Sequence, residues 1–206
     1  MVAVIDYHMG NTRSVVKTLK AIGYDAILTN SPDELRSASH LILPGVGAFK
    51  DGMDNLHALG LPPLLDELVV KGGRPLLAIC IGLQLLADEG MEHGGPHKGL
   101  GWIPGRVERF SVDEGKYKIP HVGWNNITVT RDNQLFQWIH SPSTDFYFVH
   151  SYHLKAVHSE HVIATCDYGE TFTAAVQKDN IMATQFHPEK SQRNGVQVLR
   201  NFLEIS

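Results

Sequence analysis

The chain has 206 residues, enough for one full-sized domain that buries about 70% of its unfolded surface and needs no disulfide or metal staple. Eighteen Lys plus Arg against 22 Asp plus Glu leave a formal charge of −4 without a block of like charge, which argues against nucleic-acid binding. The opening MVAVIDYHMGN has no basic leader, and the longest apolar stretch, Pro75 to Leu83, is too short to span a bilayer, so a cytoplasmic protein without membrane contact is expected.

MVAVIDY reads as a first strand. A helical pattern from Asn11 to Ile22 follows, with Val15, Leu19 and Ile22 on one face, and then the strands YDAILTN and HLILPG. Continuous apolar runs of this kind fit a sheet covered on both faces. A helix over Leu61 to Lys71, stopped by Gly72-Gly73, leads to PLLAIC at 75 to 80, completing a βα pattern with a mostly parallel sheet. EHGGPHKGLG reads as a loop. WIPGRVERF, NITVT, DFYFV, HVIATC, FTAAVQ and IMATQF read as shorter strands added in antiparallel pairs to one edge, with a turn at Lys178-Asp179-Asn180. A last amphipathic helix carries Val196, Leu199, Phe202 and Leu203. No repeat or linker marks a boundary, so residues 1 to 206 read as one α/β domain: a mostly parallel central sheet with flanking helices and added antiparallel strands.

Cys80 ends a buried-type strand just where a helical pattern starts, with Ala78 two before it and Gly82 two after. Small flanking residues are what a nucleophile elbow needs, because bulk would strike neighbouring backbone in so tight a turn. A helix N-terminus beneath the sulfur favours thiolate, and the Ile81 N–H would point where an oxyanion forms. A lone cysteine in such a run also fits an inert core thiol. In QFHPEKS, Pro188 fixes the backbone between His187 and Glu189, and an extended segment would put both side chains on one side. A carboxylate could then hold one ring nitrogen while the other faces a thiol. Pro44-Gly45-Val46-Gly47 follows the strand LIL and could offer a second N–H to an oxyanion, although it also reads as an ordinary glycine turn.

These residues resemble the class I, triad-type glutamine amidotransferases, whose nucleophile motif is close to GxCxGxQ and whose remaining triad members lie in HPE. Here the motif runs from Ala78 to Gln84, with alanine for the first glycine. Within that class the chain is most similar to the glutaminase subunits of imidazole glycerol phosphate synthases, through IDYHMGN at 5 to 11, LPGVGAF at 43 to 49, GLGWIPGRV at 99 to 107, IPHVGWN at 119 to 125 and YFVHSYH at 147 to 153. His8 stands where those subunits more often carry a smaller residue.

The resemblance implies that Cys80 attacks glutamine, His187 serves as acid and base and Glu189 orients it. Val46 or Gly47, with Ile81, would supply oxyanion N–H groups, and Gly45, Gln84, Tyr147, Ser151 and Tyr152 would bind the substrate. Tyr7, Asn11 and Trp124 lie in motifs placed near a partner interface, while local sequence equally allows Asn11 as a helix cap and Trp124 as a core aromatic. The implied partner is a (β/α)8-barrel cyclase subunit that receives the ammonia in a heterodimer, and no cofactor is implied. A glutaminase serving another synthase, or a cysteine-elbow protein without glutaminase activity, are the competing readings.

His93 and His97 have i, i+4 spacing, but the intervening glycines and Pro96 deny them a helix face and hence a metal site. Cys166, in a strand pattern and without CxxC spacing to Cys80, reads as packing, and His158 and His161 read as solvated.

Overall fold

The computed structural model describes residues 1–139 and 144–205. The first half alternates strand and helix: β1 (Val2–Ile5), α1 (Thr12–Ala21), β2 (Ala26–Thr29), α2 (Pro32–Ser37), β3 (His40–Gly45) and α3 (Phe49–Ala58). Helix α4 (Leu61–Leu65) runs into a π-helical turn (Asp66–Lys71), and then come β4 (Leu76–Cys80) and α5 (Ile81–Leu85). Two short strands, β5 (Glu89–Gly90) and β6 (His97–Lys98), flank a 3-10 turn, and β7 (Gly105–Arg109), β8 (His121–Val129), β9 (Asp145–His150) and β10 (Tyr152–Ala156) follow. The chain continues through β11 (Val162–Asp167), β12 (Thr171–Lys178), β13 (Ile181–Thr184) and α6 (Gln192–Leu203).

The strands form a nine-stranded mixed sheet in the order β2-β1-β3-β4-β13-β12-β11-β8-β9. Its first half, β2 to β13, is parallel, and from β12 onward each neighbour is antiparallel. Alternate residues of the central strands feed opposite cores. Ala3, Ile5, Leu41, Leu43, Leu76 and Ala78 meet the α2–α4 side, whereas Val4, Ile42, Leu77 and Ile79 meet Val15 and Leu19 of α1 and Leu199 and Phe202 of α6. That double coverage is why these strands read as unbroken apolar runs.

Three expectations change. WIPGRVERF does not join the main sheet: β7 belongs to a second sheet in the order β10-β7-β5-β6. EHGGPHKGLG is not a plain loop, because it supplies the 3-10 turn and β6. In α6, Val196 is only half-buried and Val198 takes the core position. The chain passes from the large sheet to the small one at Ser151, the single residue between β9 and β10.

The junction of β4 with α5 sits hard against β3. A Cβ on Gly82 would lie 1.9 Å from the Leu43 carbonyl oxygen. Gly82→Ala is therefore expected to lower stability by about 1–3 kcal/mol, the usual cost of overpacking, read from the urea midpoint. An unchanged midpoint would show that the β3–α5 contact does not constrain the elbow.

Candidate active site

Cys80 has φ 55° and ψ −109°, a conformation that side-chain-bearing residues rarely adopt, and it ends β4 where α5 begins. In the ladders Cys80 lies opposite Gly45 of β3, while Thr184, the last residue of β13, pairs with Ile79. The sulfur thus stands at the carboxyl edge of the parallel strands with His187 three residues beyond the neighbouring strand, where open α/β sheets form their clefts. The Gln185 amide donates to the sulfur at 3.7 Å, and the thiol lies 3.9 Å from the Val149 carbonyl.

His187 and Glu189 meet as expected, but by a different route. Pro188–Lys190 is a 3-10 turn rather than an extended segment, and it curls the Glu189 carboxylate to 2.8 Å from His187 Nδ1. Both side chains are shielded from solvent. Because a carboxylate accepts, Nδ1 carries the hydrogen, which leaves Nε2 for the sulfur; Nε2 has no other partner among the described residues. Ser191 Oγ donates to the His187 carbonyl at 2.6 Å and accepts from Tyr147 N–H, while His187 N–H donates to the Tyr147 carbonyl at 3.0 Å. The His187 backbone is therefore held at both its N–H and its carbonyl, and the ring is held at Nδ1. Burial alone would drive its proton off, but attraction and hydrogen bonding to the Cys80 sulfur and the Glu189 carboxylate outweigh it and raise its pKa to about 10.

Beside the sulfur is a cavity of about 280 Å³. It brings together Val46, Gly47, Cys80, Ile81, Gln84, Ser151 and Tyr152 from the sequence reading, and adds Glu92, Pro120, Val149 and His150. Gly47 has φ 134°, so this loop position favours glycine. Gly45 and Tyr147 do not line the cavity. Gly45 packs beneath it, where a Cβ would meet the Tyr7 hydroxyl and Ile81. The ring of Tyr147 turns outward, 6.0 Å from Trp124 and 5.6 Å below the Lys190 ammonium, while its backbone serves His187.

The three residues assigned to an interface separate. Trp124 is 47% exposed on β8 and is no core aromatic. Tyr7 is fully buried, and burial together with nearby charge on Cys80 holds its hydroxyl in the protonated form. Asn11 occupies the N-cap position of α1 without capping it through its side chain; its amide donates to Glu189 instead. Cys166 is buried in β11, and burial beside Asp167 pushes its thiol up to about 12. Its packing reading holds. His158, solvated as expected, precedes a 3-10 turn, whereas His161 ends that turn and is half-buried.

Residues 3–205 match the family model described as glutamine amidotransferase class-I. The chain belongs to that family. The imidazole glycerol phosphate synthase subunit HisH of Syntrophotalea carbinolica is 51% identical, with 98% of each chain covered. The subunit of the same name from Moorella thermoacetica is 46% identical, covering 99% of this chain and 94% of its own. A crystal structure of a glutamine amidotransferase superposes with a TM-score of 0.73 at 21% identity, covering 99% of this chain and 98% of its own, a likeness of fold.

Gln185 and Glu92 are among the site residues of this amidotransferase that escaped the sequence reading. Gln185 is two before His187, and that spacing was a usable signal because extended positions i and i+2 share a side. Glu92 gave none. It stands in a glycine-rich loop and reaches the cavity because its carboxylate accepts the Phe49 N–H at 2.7 Å.

The paired imidazole generates a titration test. Glu189→Gln removes a negative charge from beside Nδ1, so the His187 midpoint is expected to fall, followed by NMR of the ring. An unchanged midpoint would show that the carboxylate does not hold the proton.

Proposed function

We propose that this amidotransferase is the glutaminase subunit of an imidazole glycerol phosphate synthase, hydrolysing glutamine for a cyclase partner in histidine biosynthesis. The observation that carries the reading is the buried His187–Glu189 pair together with Cys80 in the wall of a cavity, in a chain that is half identical over its length to a subunit of that name.

The Cys80 sulfur attacks the side-chain carboxamide carbon of glutamine, and negative charge moves onto the amide oxygen. In this reading the N–H of Ile81 and an N–H of the Val46–Gly47 loop receive it, a contribution worth about 10²- to 10³-fold per donor. His187 gives its proton to the departing nitrogen, ammonia leaves, and a glutamyl thioester remains. Water then attacks the thioester carbon while Nε2 takes its proton, which releases glutamate and restores the sulfur. The substrate is a zwitterion, and the Glu92 carboxylate, largely shielded in the cavity wall, suits its α-ammonium group. Gln84, Ser151 and Tyr152 form the facing wall.

Ammonia in bulk water at neutral pH is mostly protonated and no longer nucleophilic, so it must pass unprotonated into a partner through a closed path. Val122 and Trp124, 55% and 47% exposed on β8, support this face as the docking surface for the cyclase, which we take to be a (β/α)8 barrel. Among the described residues no helix is long and apolar enough to cross a membrane, which suits a cytoplasmic biosynthetic enzyme.

Cys80→Ser in the assembled synthase is expected to abolish glutamine-dependent product while sparing product made from added ammonium salt. Surviving glutamine-dependent turnover would overturn the reading. A glutamine-analogue electrophile should label Cys80 and leave Cys166 untouched, checked by peptide mapping.

A further inference from the structure

A buried histidine pair outside the triad is joined to the cavity by an unbroken line of hydrogen bonds. His121 of β8 and His150 of β9 are directly paired across the ladder, and each is almost fully buried. Their rings approach at 3.2 Å, His121 Nδ1 to His150 Nε2. His150 Nδ1 lies 2.9 Å from the Tyr152 carbonyl oxygen. On the outer side, the Asn125 amide nitrogen lies 3.4 Å from His121 Nε2.

The direction of every bond in this line is forced. The Tyr152 carbonyl can only accept, so His150 Nδ1 carries a hydrogen. His150 Nε2 of the neutral ring must then accept, so His121 donates from Nδ1 and accepts at Nε2. Asn125 supplies that last hydrogen, its amide being oriented by the Asp167 carbonyl at 2.9 Å. Burial favours the neutral form of both rings, lowering His121 to about 4 and holding His150 well below its ordinary value. Beyond Tyr152 the line continues: Gln84 Nε2 donates to the same carbonyl at 2.9 Å and to Gln185 Oε1 at 3.2 Å, and Gln185 Nε2 donates to the Cys80 sulfur at 3.7 Å.

We propose that His150 and His121 are positioning residues for glutamine hydrolysis: by holding single tautomers they fix the Tyr152 carbonyl, and through it Gln84, Gln185 and the polar wall beside Cys80. This inference rests on the glutaminase reading. Where the chain changes sheets, the Ser151 carbonyl is held by the Phe110 N–H at 3.1 Å, whereas the Tyr152 carbonyl is anchored by the side chains of His150 and Gln84 together. Losing the His150 hydrogen bond would let this wall drift, and binding of glutamine would weaken before chemistry does.

The two side-chain amides separate a positioning role from bulk packing. Asparagine at 150 keeps a donor at the place of Nδ1, whereas glutamine extends its amide toward the place of Nε2. In the assembled synthase, His150→Gln is expected to raise KM for glutamine by about tenfold, the loss expected for one buried hydrogen bond, with a smaller change in kcat. His150→Asn is expected to recover most of that loss. Ammonium-dependent turnover in the same preparations reports folding and assembly. Ring nitrogen shifts of the native protein should show both histidines neutral with the hydrogen on Nδ1. Equal impairment by asparagine and glutamine, or a native His150 carrying its hydrogen on Nε2, would overturn the proposal. Native synthase that releases no glutamate from glutamine would instead overturn the functional reading, while the ring shifts still test the network.

Discussion

The site depends on one backbone constraint, a cysteine held at positive φ between a strand and a helix. Such a conformation costs about 1–3 kcal/mol and persists only where the surroundings over-determine it. Here they do. Cys80 is the last residue of a strand flanked on both sides by parallel partners, and Gly82 lies so close to the Leu43 carbonyl that α5 has no other position. The same geometry lifts the sulfur out of the ladder and turns it toward β13, whose continuation supplies Gln185 and His187.

Electrostatics complete what the backbone begins. A shielded His–carboxylate pair is costly to desolvate unless further hydrogen bonds support it: Asn11 donates to the carboxylate, while Ser191 holds the backbone carbonyl of His187. The consequences for stability have opposite signs on the two sides of neutrality. His187 has a folded pKa raised to about 10, so its contribution is complete below its ordinary value of 6.5 and is lost as pH rises through 10. His121 has a folded pKa lowered to about 4, so its contribution is present above 6.5 and is lost as pH falls toward 4. Both sets of contributions are retained best near neutrality.

The parallel half of the fold was legible because its strands are buried on two faces and carry continuous apolar runs. The second sheet was not, since β5 and β6 are two residues each and their pairing is set by neighbours rather than by their own side chains. Only DFYFV reads as a strand there, whereas the structure carries the YFVHSYH motif across two strands that change sheets at Ser151, with the Tyr147 ring against Trp124 and Tyr152 at the cavity. Cys80, His187 and Glu189 were legible as residues, while the 3-10 turn that brings the last two together was not. Asn11 and Tyr7 lie in one motif but part in the fold: half-buried Asn11, at φ 72°, donates to Glu189, while Tyr7 is fully buried.

The central claim is covalent: the sulfur of Cys80 carries the glutamyl group between loss of ammonia and entry of water. The most direct measurement mixes the assembled synthase with glutamine, quenches it in acid within the first turnovers, and weighs the peptide containing Cys80. A glutamyl adduct on that peptide, absent from the peptide containing Cys166 and absent from Cys80→Ser, is the expected result. Glutamate release with no adduct at Cys80 at any quench time, or an adduct carried elsewhere, would contradict it.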